Sequence, residues 1–266
     1  MRTAVTSMSI GVGSRPMRNL TYPAMMDYAD RIGADFVNIN AGFGKLFQGN
    51  VYFEKLQLIN LLEHYDRIIY LDTDIIVSPD CPSLLELVPE DHLGAFIASR
   101  YSNVHNQANI EIQRTLGTIS WRREQRDAQI FESFNAGVLI LSKQLLPELR
   151  QVLPAAETWS RYEGPIDPRA LMAEQPVWNY TLQKFQIPIT DLGLKFNHTN
   201  ARGSSNDRFS SHIIHYAGTS HRQKDRLFTT SKLTKMKIDA AIIGVPWLNH
   251  VAKRSTGLIR LLDRLV

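Results

Sequence analysis

The stretch RIIYLDTDIIVSPD, residues 67–80, decides how this sequence is interpreted. Its apolar residues 68–71 predict a buried strand, and a second apolar run follows Asp72-Thr73-Asp74. Residues two apart in a strand face the same way, so Asp72 and Asp74 are expected to converge. Burying an ionised carboxylate without a partner costs several kcal/mol. A divalent cation together with a diphosphate would balance both charges, whereas the competing interpretation is a pair of solvated turn aspartates.

Strands and helices alternate before this stretch. The predicted strands are TAVTSMSI (3–10) and ADFVNI (34–39), and the predicted helices are TYPAMMDYADRIG (21–33), with Thr21 as its N-cap, and VYFEKLQLINLLEHY (51–65). This order is typical of an α/β fold with a parallel sheet and helices on its faces. In such sheets the ligand crevice lies at the carboxyl ends of the strands.

The remaining chain continues the α/β pattern around one polar excursion, residues 100–132. Further strands are expected at LGAFIAS (93–99), FNAGVLILS (134–142), IPITDL (187–192) and HIIHYAGT (212–219), and helices at PSLLELV (82–88), KQLLPELRQVL (143–153) and PRALMAEQPVWNYTLQKF (168–185). Residues 197–211 have loop composition. We expect them to form a mobile lid that becomes ordered when a ligand binds in the crevice.

The composition is that of a globular protein whose charge is unevenly distributed. The 266 residues carry a net charge of +4, but residues 222–266 carry +7 and the rest −3. We therefore predict a main domain over 1–221 and a basic helical segment over 222–266, packed on it or appended to it. A basic segment indicates an anionic partner. The final STGLIRLLDRLV predicts an amphipathic helix at an anionic membrane surface, or one that packs on the domain.

Other features of the sequence exclude classes of protein. The single cysteine, Cys81, excludes an internal disulfide framework. No apolar run reaches the length of a membrane span, and the N-terminus is too polar for a signal peptide. No nucleic-acid motif stands beside the basic segment. The expected location is cytoplasmic, either free in solution or attached peripherally to a membrane.

Four segments together resemble a known family. YLDTDIIV resembles the Asp-x-Asp segment of GT-A glycosyltransferases, and the most similar group is family 8, which includes glycogenin and bacterial lipopolysaccharide galactosyltransferases. FNAGVLILS resembles that family's Asn-Ala-Gly-Val strand, AEQPVWN its Asp-Gln-Asp-x-x-Asn helix start, and HYAGT its His-Tyr-x-Gly loop. The resemblance implies the GT-A nucleotide-diphospho-sugar transferase fold, which has a Rossmann-like, mostly parallel sheet flanked by helices.

The resemblance also implies roles for individual residues. The metal ligands for Mn²⁺ or Mg²⁺ would be Asp72, Asp74 and His215. The donor would be bound by Asp72, Lys55, Asn135, Ala136, Gly137, Gly218, His221 and Lys224, with Arg222 as another candidate for the diphosphate. The catalytic residues would be Gln175 and Glu174. We expect Asp74 and His215 to close parallel strands at the crevice and to bind the same cation.

The implied activity is that of a hexosyltransferase-type, metal-dependent glycosyltransferase of polysaccharide biosynthesis. It would move a sugar from a nucleoside-diphosphate donor, by default a UDP-sugar, to a glycan or glycolipid acceptor, with retention of configuration. The chain departs from the family at several positions. Strand one lacks the acidic residue and the tyrosine that contact the base, Glu174 replaces an aspartate, and Ala98 replaces an acidic residue that contacts the sugar.

Two other functions compete with this interpretation. GVGSRP, residues 11–16, is similar to the Gly-x-Gly-x-Arg loop of sugar-phosphate nucleotidyltransferases, which would release pyrophosphate. The chain could also be a non-catalytic module that binds a glycan or a membrane. Against a family member that has lost its activity stands the presence of the full set of acidic, amide and histidine residues, namely Asp72, Asp74, Asn135, Gln175 and His215.

Overall fold

The computed structural model describes residues 1–42, 50–103, 105–164, 173–199, 205–217 and 226–255, together with 257 and 259. A mixed α/β fold is built around a six-stranded sheet. The strands are β1 (Thr3–Met8), β2 (Asp35–Ile39), β3 (Arg67–Leu71), β4 (Ile75–Val77), β5 (Leu93–Phe96), β6 (Arg123–Glu124), β7 (Asp127–Phe131), β8 (Asn135–Ser142), β9 (Ile189–Asp191) and β10 (Ile213–His215).

The strand order in the central sheet is β2-β1-β3-β8-β5-β9. Strand β8 runs antiparallel to both of its neighbours, and every other pairing in this sheet is parallel. The remaining strands form two antiparallel pairs, β10 with β4 and β6 with β7. The predicted mostly parallel sheet is therefore confirmed.

Helices cover both faces of the sheet. The α-helices are α1 (Arg15–Arg31), α2 (Gln57–Leu61), α3 (Leu84–Leu87), α4 (Asn106–Leu116), α5 (Leu146–Leu149), α6 (Val152–Ser160), α7 (Gln175–Lys184), α8 (Arg226–Gly244) and α9 (Pro246–Arg254). Short 3-10 helices occur at Val12–Ser14, Val51–Leu56, Ala98–Arg100, Lys143–Leu145, Leu194–Phe196 and Ser205–Ser210.

Residues 68–71 of strand β3 are buried on both faces of the sheet, which explains their unbroken apolar sequence. Ile68 and Tyr70 belong to a core shared with α2, α4, α6 and α7. Ile69 and Leu71 point the other way into a core shared with α1. The side chains of a strand alternate between the two faces of its sheet, so a run that is covered on both sides is apolar at every position. Arg67, which starts β3, is the exception: it is buried, and its guanidinium donates hydrogen bonds to backbone carbonyls.

The predicted start of the first helix is wrong. Helix α1 begins at Arg15, and Thr21 lies within it. Pro16 stands in the first turn, where its fixed φ favours a helix start, and Pro23 is tolerated inside the helix. The Thr21 hydroxyl is 2.9 Å from the carbonyl oxygen of Thr73, to which it donates a hydrogen bond, so it contacts the acidic segment instead of capping a helix.

The C-terminal helices pack on the β4–β10 pair. Met236 and Ile243 of α8 lie in a third apolar cluster with Ile76 and Ile214. Described residues contain no helix that is both long and apolar enough to cross a bilayer. The division of the chain at residue 221 stays a prediction, and most of the predicted amphipathic segment, residues 255–266, lies outside the described residues.

Candidate metal and donor site

The two aspartates lie where the chain leaves the central sheet between β3 and β4. The Asp72 amide donates to the Gly137 carbonyl at 2.8 Å, which joins the turn to β8. The Thr73 hydroxyl donates to the carbonyl of the last residue of β1. The Tyr216 amide donates to the Asp74 carbonyl at 3.0 Å. Three neighbouring segments thus fix the backbone that presents the carboxylates.

His215 reaches the same place from β10. Its Nε2 lies 3.2 Å from Asp74 Oδ1 and 3.5 Å from Asp72 Oδ2. Each of the three residues offers one ligand atom, and these atoms lie within 4.8 Å of one another. The structure therefore brings together the predicted metal ligands Asp72, Asp74 and His215, on one side of the turn.

The predicted setting of His215 is nevertheless wrong. Strand β10 is not a parallel strand of the central sheet, because it pairs antiparallel with β4, with His215 opposite Ile75. The reason is that the Asp72–Asp74 turn interrupts the apolar run. The residues after the turn leave the central sheet and form a second, smaller one, so the site lies between the two sheets.

Hydrogen bonds determine which ring nitrogen of His215 carries a proton and donates. The Gly137 amide donates to Asn135 Oδ1 at 3.1 Å, and the same oxygen accepts from Asn197 Nδ2 at 2.9 Å. Asn197 Oδ1 therefore faces His215 Nδ1, 2.7 Å away, and Nδ1 must donate. This leaves His215 Nε2, which faces the carboxylates, as the nitrogen able to bind a cation.

Gly137 is needed because His215 and Asp72 pack against it. A Cβ at this position would overlap His215 Cε1 and lie 2.9 Å from Asp72 Oδ2. The resemblance implied that Gly137 is one of the residues that bind the donor. In the structure, the space beside it is occupied by the two side chains of the candidate metal site.

Lys55 forms a buried cluster with two acidic residues. Its Nζ lies 2.7 Å from Glu174 Oε1 and 3.2 Å from Asp72 Oδ1, and it donates to the Ala136 carbonyl at 3.0 Å. The Tyr70 hydroxyl also donates to Asp72, at 2.6 Å. Lys55 is thus a counter-ion in the wall of the site.

The ionisation of this cluster depends on its charges. Burial lowers the pKa of Lys55, but the carboxylates of Asp72 and Glu174 raise it more, so the net pKa lies above its usual value. Burial raises the pKa of Glu174, and the opposing effect of Lys55 is smaller. The ammonium therefore stays charged between the two acidic residues.

Gln175 positions the start of β8. Its Oε1 accepts hydrogen bonds from Ala136 N at 3.0 Å and from Asn135 Nδ2 at 3.1 Å. Its Nε2 lies 3.2 Å from Nδ1 of His105, which is buried. Two residues that were predicted separately, Gln175 and Asn135, are therefore in direct contact, whereas no sequence signal assigned His105 or Asn197 to the site.

A lysine from the C-terminal helix also reaches the site. Lys232 Nζ lies 2.8 Å from Asp74 Oδ2. Burial raises the pKa of Asp74, but His215 and Lys232 lower it more, so the net pKa lies well below its usual value. The predicted residues Gly218, His221, Arg222 and Lys224 lie outside the described residues. So does the middle of the predicted lid, whose last part, Ser205–Ser210, is a 3-10 helix.

The fold is that of a class of proteins, the GT-A glycosyltransferases. Solved structures share the fold. A glycosyltransferase involved in the glycosylation of the major capsid of PBCV-1 is 14% identical, with a TM-score of 0.57 over 90% of this chain and 100% of that chain. The bifunctional glycosyltransferase WbbM is 14% identical, with a TM-score of 0.56 over 97% of this chain and 52% of its own. Mouse xyloside xylosyltransferase 1 is 11% identical, with a TM-score of 0.51 over 85% of this chain and 100% of its own.

The family follows from the sequence. The model of glycosyl transferase family 8 matches residues 29–221, most of the chain. A comparison with curated proteins gives no match. The chain belongs to glycosyl transferase family 8 and is a glycosyltransferase of the hexosyltransferase type. The family predicted from the four segments is confirmed.

Proposed function

We propose that this glycosyltransferase is metal-dependent and uses a nucleoside-diphosphate sugar, by default a UDP-sugar. The observation that carries the proposal is the convergence of Asp72, Asp74 and His215. Two carboxylates and one imidazole fit a divalent first-row metal, and the nitrogen ligand favours Mn²⁺ over Mg²⁺. When bound, such a metal stabilises the negative charge that develops on the leaving nucleoside diphosphate.

The chain's own residues support retention by a front-side route. A double displacement needs a carboxylate nucleophile at the sugar. Glu174 is buried and held by Lys55 at 2.7 Å, so its charge is already balanced. Gln175 Oε1 already accepts two hydrogen bonds. Since both groups are engaged inside the protein, we assign them to positioning the wall against which the donor sugar lies.

The acceptor is proposed to be a glycan or glycolipid presented at an anionic membrane. Helix α9 exposes Trp247 (66%) and Val251 (41%), one turn apart, beside Arg254. Tryptophan and a basic residue on one helix are suited to the headgroup region of a bilayer. The charge of +7 over residues 222–266 adds attraction to anionic lipid. Equal sedimentation with anionic and neutral liposomes would contradict this assignment.

The activity is tested by product analysis with a panel of nucleotide-sugars and Mn²⁺. We expect release of nucleoside diphosphate that stops when a chelator removes the metal. Release of pyrophosphate would instead support a sugar-phosphate nucleotidyltransferase. Binding of metal and nucleotide without turnover of any donor would support a non-catalytic module.

A further inference from the structure

The two carboxylate oxygens of Asp74 face two different side chains. Its Oδ1 faces His215 at 3.2 Å, and its Oδ2 faces the ammonium of Lys232 at 2.8 Å. The Lys232 side chain is 11% exposed, so this pair is largely shielded from water. Lys232 lies in α8, beyond residues 29–221 that match the family. A segment outside the family's match thus supplies a cation to the centre of the candidate metal site.

The position of Lys232 is fixed by the rest of its helix. Asp239 follows seven residues later, on the same face of α8. It is completely buried and bound to Arg208 at 2.8 and 2.9 Å, and it also accepts a hydrogen bond from the Tyr216 hydroxyl at 2.5 Å. Met236, between the two on this face, is completely buried as well. Lys232 is therefore presented by an anchored helix, and Tyr216 directly follows the candidate ligand His215.

A lysine in this position has opposite effects on two ligands. Its charge balances Asp74 when no metal is bound, but it repels a divalent cation that binds the same carboxylate. A diphosphate beside the metal brings negative charge to which the ammonium can donate hydrogen bonds. Lysine has a flexible stem and three rotatable donors, so it can turn from a carboxylate to a phosphate while its helix stays in place.

We propose that Lys232 is a donor-binding residue that neutralises Asp74 in the metal-free site and contacts the donor's diphosphate once the metal is bound. This inference rests on the proposed function. It makes the C-terminal segment part of the nucleotide-sugar site. It also predicts that the metal and the donor favour each other's binding, because the metal and the diphosphate together displace the ammonium from Asp74 more easily than the metal alone.

The test compares Lys232→Met, which removes the charge, with Lys237→Met on an exposed position of α8. Binding of Mn²⁺ alone is measured by electron paramagnetic resonance. Binding of UDP, or of whichever nucleoside diphosphate the donor panel releases, is measured by calorimetry with saturating Mn²⁺. Lys232→Met should bind Mn²⁺ about 3-fold more tightly and the nucleotide about 10-fold more weakly, roughly the loss of one charge-assisted hydrogen bond. Lys237→Met should change neither affinity, and Lys232→Arg should restore most of the nucleotide affinity.

A second measurement uses the unaltered chain and does not depend on the folding of a variant. Acetylation of lysines by acetic anhydride, which transfers one acetyl group to the amine and releases acetate, is read by mass spectrometry and should be slow at Lys232 without ligands. It should become faster with Mn²⁺ and slow again with Mn²⁺ and nucleotide, while Lys237 stays constant. Two results would overturn this inference and leave the proposed function intact. One is equal labelling of Lys232 in all three states, and the other is a Lys232→Met variant that binds both Mn²⁺ and the nucleotide more weakly. A wild-type chain that binds neither Mn²⁺ nor nucleotide overturns the proposed function and this inference together.

Discussion

Replacing Asp74 by asparagine tests the candidate metal site most directly. The substitution keeps the shape of the side chain and removes one negative charge from a group that contacts His215 at 3.2 Å and Lys232 at 2.8 Å. Two unit charges 4 Å apart attract by about 4 kcal/mol at an effective dielectric constant of about 20, and a divalent cation doubles this. Losing only about 1.4 kcal/mol of that attraction lowers metal affinity tenfold.

We therefore expect Asp74→Asn to weaken Mn²⁺ binding at least about 10-fold and to lower turnover by a similar factor. Titration of Mn²⁺ followed by electron paramagnetic resonance gives the affinity, and nucleotide-sugar hydrolysis gives the turnover. The variant also leaves Lys232 without its carboxylate. Because that pair is largely shielded from water, we expect a loss of about 1–3 kcal/mol in the free energy of unfolding. Both assays must therefore be run well below the measured melting temperature.

The control is Asp80→Asn, six residues further along the chain. The Asp80 side chain is 53% exposed and pairs with Lys253 at 2.8 Å, away from the candidate ligands. It should leave metal affinity and turnover unchanged, whereas His215→Ala should behave like Asp74→Asn. The reasoning is refuted if Asp74→Asn keeps wild-type metal affinity, whether or not its turnover falls.

Three further predictions concern other parts of the structure. Gly137→Ala should push His215 from its place, so metal affinity should fall about 10-fold while overpacking costs only about 1–3 kcal/mol of stability, measured by denaturant unfolding. Burial raises the pKa of Cys81 to about 12, so its thiol stays protonated at pH 8 and should react with a disulfide reagent only after the chain is unfolded; rapid reaction of the folded chain would contradict this. Residues 197–211 should gain protection from hydrogen exchange when Mn²⁺ and nucleoside diphosphate bind, and equal protection in both states would exclude a lid.

The acidic turn could be predicted from the sequence because all the residues that indicate it are adjacent in the chain. Five residues, 68–72, contain both the buried strand and the first carboxylate, and the alternation of strands and helices places the strand end at a crevice. The resemblance of HYAGT to the family's His-Tyr-x-Gly loop identified His215, because a single histidine in a strand has no signal of its own. The start of α1 was missed because two prolines and a threonine compete to mark it, and the first proline determines the start.

The remaining site residues depend on packing between distant segments. Lys232 contacts Asp74 across 158 positions, and His105 contacts Gln175 across 70. A lysine in a basic segment and a histidine in a polar stretch are common, so neither residue has a distinctive pattern. The pairing of β4 with β10 was not predicted for a related reason, since the apolar run after the turn does not show which distant strand it pairs with.

The position of the candidate ligands between two sheets has a consequence for cooperativity of unfolding. Asp72 follows the central sheet, while His215 belongs to the β4–β10 pair on which α8 packs. A cation bound to both would act as a cross-link between the central sheet, here called the inner layer, and the β4–β10 pair with α8, here called the outer layer. Calorimetry of the chain with chelator should then show the outer layer opening at a lower temperature than the central sheet, and added Mn²⁺ should merge the two events into one transition.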